Sequence, residues 1–570
     1  MEDIGAALDM LTKANRKATN KFASLGKNRP YALSAKSPYT SWDSLTDQNY
    51  YSRQLPPADQ EWVDSLPPLE DVTELFRHDG QRKESKRTTM LFATFAQFAV
   101  ENLVSTGANS DGSPKYDHYT GTNQWDMMSV YGRTIAQTNA LRAMNNTQGY
   151  KGRLKSQILH GEEFPHFLHQ RDGTVDPQFI PLLQDATTRF ANSPSSRRCQ
   201  VLQNIDNSTF FAMGHMDANL LPNIVSMITL FLREHNRIAG TLEEINPSWD
   251  DERVFQTARN INIVIGIKIV FHEYINHIAK VPIFQLDIGP WIWNATWNRP
   301  NWIAAEFSVL YRFHTMVPST INVAGEQLSL MESLGRNDLF QDGTLSLREM
   351  FEDLSAQKAM SMELFNTDSF LLGREKESLR MSRALKFASY ADYVEYMDYQ
   401  PRPTSFEDIS SDPKVLAKLK DLYTTVDDVE FYVGLVAQDH EGNAIFGGTL
   451  LAAIGKDAMS TILVNPLLSE NVWNEETFSE YGWQLIHEDQ SLAIMLDRNA
   501  ADGWFGEGES SADEKPYIGM GANAPLPDIG EGSATVAENP VEEEPLASAS
   551  STTSWLFGMT VVCLSSLLSY

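Results

Sequence analysis

The sequence predicts a mainly α-helical protein. Three stretches, Leu220–Ala239, Asp251–Ile278 and Asn301–Met316, carry apolar residues at helical spacing over lengths that strands seldom reach. Strand signals are few, and no repeat of fixed period is present. The 570 residues, 42% of them hydrophobic, suffice to bury a large core. These observations together give helices joined by short connections.

In chain order, the first element is a helix. Ile4, Leu8, Leu11, Ala18, Phe22 and Leu25 repeat at helical spacing, with Lys13, Arg16, Lys17 and Lys21 between them and Gly26 as the stop. Two placements are open: docked on the core, or lying on a membrane surface as a basic amphipathic helix. Met1 to Gly5 holds two acids and no apolar h-region, so no signal peptide is expected, and an intracellular location follows. Residues 1–34 form this lead-in, and residues 35–500 form the main domain. Residues 501–554, rich in Gly, Ser, Pro and Glu, read as a disordered acidic linker, because they cannot bury enough apolar surface to offset chain entropy. Residues 555–570 form an apolar tail shorter than the ~20 residues of a spanning helix. A tail anchor and a processed lipid-anchor signal are both open there.

Composition excludes several classes of function. A formal net charge of −29 argues against nucleic acid as a partner. Two cysteines, Cys199 and Cys563, exclude a disulfide framework and thiolate zinc clusters. Asp338 to Glu349 resembles a calcium loop, but Phe340 stands where an oxygen ligand is needed, so a helix cap is expected and no calcium or zinc. His160, His166 and His169 lack acidic partners at metal-site spacing and read as solvated loop residues.

The chemistry concentrates in Glu306-Phe307-Ser308-Val309-Leu310-Tyr311-Arg312-Phe313-His314. On a helix, Tyr311 and His314 would share one face. An imidazole there can ligate a haem iron, and a phenol beside it can lose an electron to that haem and become a radical.

Other segments support this. Leu232-Arg233-Glu234-His235-Asn236-Arg237, followed by Asn246-Pro247-Ser248-Trp249-Asp250-Asp251-Glu252, resembles the signature of the animal-type haem peroxidase superfamily. Tyr39-Thr40-Ser41-Trp42, Tyr50 to Pro57, Lys268-Ile269-Val270 with Glu273-Tyr274, Ser405-Phe406-Glu407-Asp408, Asp427 to Tyr432 and Ala444 to Thr449 follow in the order found in cyclooxygenases. The resemblance runs over about residues 35–500, and the short form without extra modules is similar to algal members. It implies a haem peroxidase fold, with one haem b per chain buried between helices. It also implies a polyunsaturated, arachidonate-like fatty acid and O2 as substrates, peripheral membrane contact and a homodimer. Position by position, it makes His314 the axial iron ligand, Tyr311 the radical residue, Tyr432 a support of the ligand and Gln97 a distal glutamine. Tyr274, Ile275, Phe307 and Leu451 match the fatty-acid channel, and Ala458 matches the serine acetylated by aspirin-type drugs.

The departures from the family pattern matter equally. The distal histidine falls at Glu101, where a carboxyl of raised pKa could still move a proton. His215 is a second distal candidate, and Arg29 or Lys27 could meet the fatty-acid carboxylate in place of a missing arginine. The expected reaction is hydrogen abstraction by a Tyr311 radical and O2 addition to give a prostaglandin endoperoxide. An α-dioxygenase, a diol-synthase-like oxygenase and a haem binder without turnover are the alternatives.

Overall fold

The computed structural model describes residues 2–26, 50–183, 207–499 and 518–521, apart from short gaps at 105, 110–112, 280–282, 299–302 and 443. Helices dominate as expected. Strands among the described residues are confined to small antiparallel ribbons. Glu84–Thr89 pairs with Lys358–Met360, Thr106–Ala108 with Pro114–Tyr119, Ser156–Leu159 with Glu162–Pro165, and Thr320–Val323 with Glu326–Ser329.

The helices that position the site are α1 (Glu2–Ala23), α2 (Met90–Leu103), α3 (Pro222–Ile245), α4 (Asp251–Ile269), α5 (Leu347–Ala356), α6 (Leu372–Ala384), α7 (Phe431–Ala437) and α8 (Gly448–Ile462). The centre is α3 packed on α4 and on α2. Pro222 opens α3, where its missing N–H costs nothing. Asp250 caps α4 by accepting from the Arg253 N–H at 2.9 Å, and Asp251 and Glu252 favour the positive end of the helix. Asp251–Ile278 is long and apolar enough to cross a membrane, yet 83% of its most apolar window is buried in the protein. It continues past α4 through a π-turn, Val270–Ile275, that carries Tyr274 and Ile275.

Both signature segments serve this packing. His235 is buried, with Nδ1 3.0 Å from the Tyr131 hydroxyl and Nε2 2.8 Å from the Gly152 carbonyl. Asp251 accepts from Arg142 at 2.8 Å and from the Gly152 N–H at 2.8 Å. The two segments thus hold one loop from opposite sides, and burial keeps His235 neutral, with its pKa pushed down to about 3. Glu349 closes a capping box with Ser346 at the start of α5, so the calcium-like segment is a helix cap. No group of three His, Cys, Asp or Glu among the described residues is placed to hold a metal ion. His166 and His169 are half-buried rather than solvated.

The first helix is docked on the core, with its apolar register corrected. Asn15 and Thr19 face inward, while Leu8 and Leu11, expected on the buried side, are 59% and 54% exposed. Polar contacts set this rotation: Asn15 exchanges two hydrogen bonds with the backbone of Gln285, at 3.0 and 3.1 Å, and Asn20 accepts from Trp297 Nε1 at 2.8 Å. The expected linker also needs correction. Ile518 and Met520 are buried, and the Thr89 N–H donates to the Met520 carbonyl at 3.0 Å. Two apolar side chains in an otherwise polar stretch are enough to seat this piece beside the start of α2. Arg29, Lys27, Cys199, Cys563, the remainder of 501–554 and the apolar tail lie outside the described residues.

Candidate functional site

Tyr311 and His314 do not share a continuous helix. The helix Phe307–Leu310 makes a single turn, Tyr311 leaves it at φ −101° and ψ 22°, and His314 starts a short 3-10 turn ending at Met316. One local and one tertiary hydrogen bond compete with the helix here. Arg312 Nε takes the Ser308 carbonyl at 3.0 Å, and the Tyr432 hydroxyl takes the Arg312 carbonyl at 3.2 Å. Both side chains nonetheless line one cleft of about 1080 Å³, its open mouth included.

The His314 imidazole is fixed from behind. Nδ1 lies 3.1 Å from Glu375 Oε2 on α6. The same oxygen accepts from the Tyr432 hydroxyl on α7 at 2.6 Å, and Oε1 accepts from Thr367 at 2.8 Å. Tyr432 is stacked on Phe76 at 5.3 Å, so its hydroxyl cannot swing away. Burial, partly offset by Glu375, lowers the pKa of His314 and favours neutral imidazole. With Nδ1–H directed to Glu375, the lone pair sits on Nε2, which has no hydrogen-bond partner among the described residues.

Opposite His314, α2 contributes Ala93, Thr94 and Gln97, and apolar residues such as Val317, Leu328 and Met350 complete the walls. Arg336 stands at the edge, paired with Asp338 at 2.9 Å. A free imidazole nitrogen, an apolar slot and a guanidinium at its edge fit a flat apolar macrocycle with acidic side chains, namely haem.

Tyr311 lies 4.8 Å from the Phe307 ring and 5.6 Å from Phe313. Burial, with Asp457 nearby, pushes its phenol well above the usual range, so it holds its proton. Gln97 Nε2 donates to Glu101 Oε1 at 3.0 Å. Glu101 itself does not reach the cleft: it is 4% exposed and lies one turn behind Gln97 on α2. Burial raises its pKa to about 8 against the opposing Gln97 bond, and its Oε2 has no hydrogen-bond partner among the described residues. His215 Nδ1 is 3.9 Å from that oxygen, also behind the cleft wall.

The residues matched to the fatty-acid channel divide. Ile275 and Leu451 line a second, mostly apolar cavity of about 1280 Å³, mouth included, between α1, the π-turn and α8. Phe446 lines it too and packs at 4.9 Å on Phe313, which lines the His314 cleft, so this ring pair separates the two spaces. Phe307 and Ala458 are buried. Tyr274 is stacked on Phe92 at 5.0 Å, and its buried hydroxyl has no hydrogen-bond partner among the described residues.

Glu375 and Arg336 were not among the expected residues. Glu375 carried a signal: with Leu372 and Leu379 it shares one face of α6, an acid on an apolar stripe, which demands a buried partner. Arg336 stands in a loop and gave none.

The animal haem peroxidase family model matches residues 110–503, a span that holds Tyr311, His314, Glu375 and Tyr432 but not Gln97 or Glu101. Prostaglandin G/H synthase 2 of Equus caballus is 28% identical over 472 residues, covering 80% of this chain and 72% of its own. Among solved structures, peroxidase A from Dictyostelium discoideum superposes with a TM-score of 0.63 at 17% identity, covering 83% of this chain and 95% of its own. The fatty acid alpha-dioxygenase of Oryza sativa superposes with a TM-score of 0.64 at 17% identity, covering 85% and 89%. These two likenesses concern the fold.

Proposed function

Since the chain belongs to the animal haem peroxidase family, we propose that it is a haem-dependent fatty-acid oxygenase of the cyclooxygenase type, acting on a polyunsaturated, arachidonate-like acid. One observation carries this reading: Tyr311 lines the same cleft as His314 and is separated by one aromatic pair, Phe313 and Phe446, from an apolar cavity suited to a lipid chain.

In this reading His314 Nε2 would hold the haem iron and Arg336 would meet the acidic side chains of the group. A bound haem would supply one-electron oxidising power. Glu375 and Tyr432 hold the ligand's tautomer, which keeps the Nε2 lone pair directed into the cleft. Tyr311, held protonated by burial, is the residue on which that oxidising power would act, its electron passing to the haem and its proton to the cleft that Tyr311 lines. The phenoxyl would take a hydrogen atom from a doubly allylic carbon, O2 would add to the pentadienyl radical left on the lipid, and the final peroxyl radical would take the hydrogen atom back from Tyr311, restoring the phenoxyl. Aromatic walls keep water from the reacting carbon.

Glu101 serves as a positioning residue. Its Oε1 orients the Gln97 amide, and Gln97 is the α2 residue facing His314 that can hydrogen-bond a peroxide. With no imidazole besides His314 lining the cleft among the described residues, proton movement to the leaving oxygen would be weakly assisted, so a slow peroxidase half-reaction is expected.

Tyr311-Arg312 supports a second reading, an α-dioxygenase, because that branch of the superfamily resembles this chain in having arginine after the tyrosine. Mass spectrometry of products from haem-reconstituted protein, arachidonate and O2 separates the two. Prostaglandin endoperoxides or their breakdown products are expected. A 2-hydroperoxide would replace the first reading by the second, and absence of any product would overturn both.

A further inference from the structure

We infer that α1 closes the second cavity and that Lys21 on it holds the carboxylate of the bound fatty acid. The inference deepens the fatty-acid reading above and rests on it for the identity of the ligand. Three elements wall the cavity: Ala18, Lys21 and Phe22 come from α1, Ile275 and Ile278 from the π-turn and its continuation, and Leu451 and Ile454 from α8. Its character is mostly apolar, which suits an alkyl chain; Gln400 and Glu441 are polar groups on the wall, and neither carries the positive charge that a carboxylate needs. Lys21 is the one cation lining it among the described residues. Its Nζ lies 5.1 Å from the centre of the Tyr399 ring, and it makes no ion pair among the described residues. An exposed ammonium head over a ring at the cavity wall, with no acid paired to it among the described residues, matches a ligand with a long apolar chain and a terminal anion. One acid, Glu441, shares the wall.

The position of α1 is set by close packing. A Cβ on Gly455 of α8 would come within 2.7 Å of the Phe22 ring, so α1 reaches its depth because position 455 lacks a side chain. The bonds of Asn15 to Gln285 and of Arg16 to Asp287 at 2.5 Å tie the middle of the helix beside the cavity. The helix end bearing Lys21 is therefore a fixed part of the rim.

The test is calorimetric binding of oleate and of methyl oleate to haem-loaded protein without O2, so that nothing turns over. Oleate is expected to bind more tightly than its ester. Lys21→Glu is expected to weaken oleate about five- to tenfold, a partly exposed ion pair plus charge reversal, and to leave the ester unchanged. Lys21→Arg should keep the preference for the acid, and so should Lys17→Glu, the same charge change on α1 outside the cavity. Equal binding of acid and ester by the native protein, or oleate binding indifferent to Lys21→Glu, would overturn the inference. Oxygen uptake with arachidonate is scored separately. Uptake that persists while Lys21→Glu leaves oleate binding unchanged removes the Lys21 role and keeps the oxygenase reading. Binding of the acid that depends on Lys21 without uptake does the reverse.

Discussion

Glu375 and His314 form a hydrogen-bonded pair, Oε2 to Nδ1 at 3.1 Å, and Tyr432 completes it by donating to the same oxygen at 2.6 Å. The His314 nitrogen proposed to hold the haem is thus tuned by an acid with no exposed surface. An acid behind an imidazole makes it more electron-rich and favours the oxidised iron.

Replacing Glu375 by Gln keeps the shape and removes that electron push. The bound haem is expected to shift to a higher reduction potential, and haem affinity to fall about 10- to 100-fold. Redox titration and haem transfer to an acceptor protein measure the two. An unchanged potential would mean that Glu375 serves only to pack α6.

Tyr311→Phe removes the phenol and keeps the ring between Phe307 and Phe313. Oxygen uptake is expected to fall to background while the haem absorption bands stay in place. Uptake at the native rate would remove Tyr311 from the reaction.

Glu101→Gln probes the buried carboxyl behind Gln97. In the folded protein this group titrates near 8, well above an ordinary glutamate, so between about pH 4.5 and 8 the unfolded chain releases a proton that the folded chain keeps. Stability contributed by Glu101 is therefore present at low pH, declines through that window and levels off above it. The Gln variant lacks this decline. Its advantage in unfolding free energy, read by urea titration, is expected to grow from pH 5 to pH 8, reaching on the order of a few kcal/mol, and then to hold constant. A constant offset across that range would place the Glu101 pKa at its ordinary value.

Gly434→Ala tests the frame around Tyr432. A Cβ at 434 would lie 2.1 Å from Tyr390 Cγ, and the Tyr390 ring is held by its hydroxyl, 2.9 Å from Thr449. Overpacking of this kind is expected to cost about 1–3 kcal/mol, read by denaturant unfolding of the haem-free protein. Haem should also bind more weakly, because α7 carries Tyr432 to Glu375.

Of the three long helices expected, Leu220–Ala239 and Asp251–Ile278 are helices, whereas Asn301–Met316 holds only the single turn Phe307–Leu310 and a short 3-10 turn. Proline at the head of α3, the Asp250 cap of α4 and the Ser346–Glu349 box of α5 are local signals that the tertiary structure preserves. The pairing of Tyr311 with His314 was legible, but its geometry was not. The helix between them is broken by Arg312 and Tyr432, and the latter is 120 residues distant in sequence. Glu375 escaped for the same reason, since its partners come from three separate segments. The inward face of α1 was misread because asparagine and threonine make buried hydrogen bonds that a hydrophobic stripe does not foretell. The distal wall was legible as residues but not as depth: spacing on α2 relates Gln97 to Glu101 without saying which of them the cleft exposes.

The family-model match ends at 503, yet Ile518–Gly521 pack on Thr88 and Thr89, where the strand Glu84–Thr89 runs into α2. The matched span and the folded chain therefore stop at different places. A chain cut at the last matched residue would keep every residue that faces the cleft and still uncover the root of the helix that bears Gln97. The edge of a recognisable family is a poor guide to where this protein can be shortened.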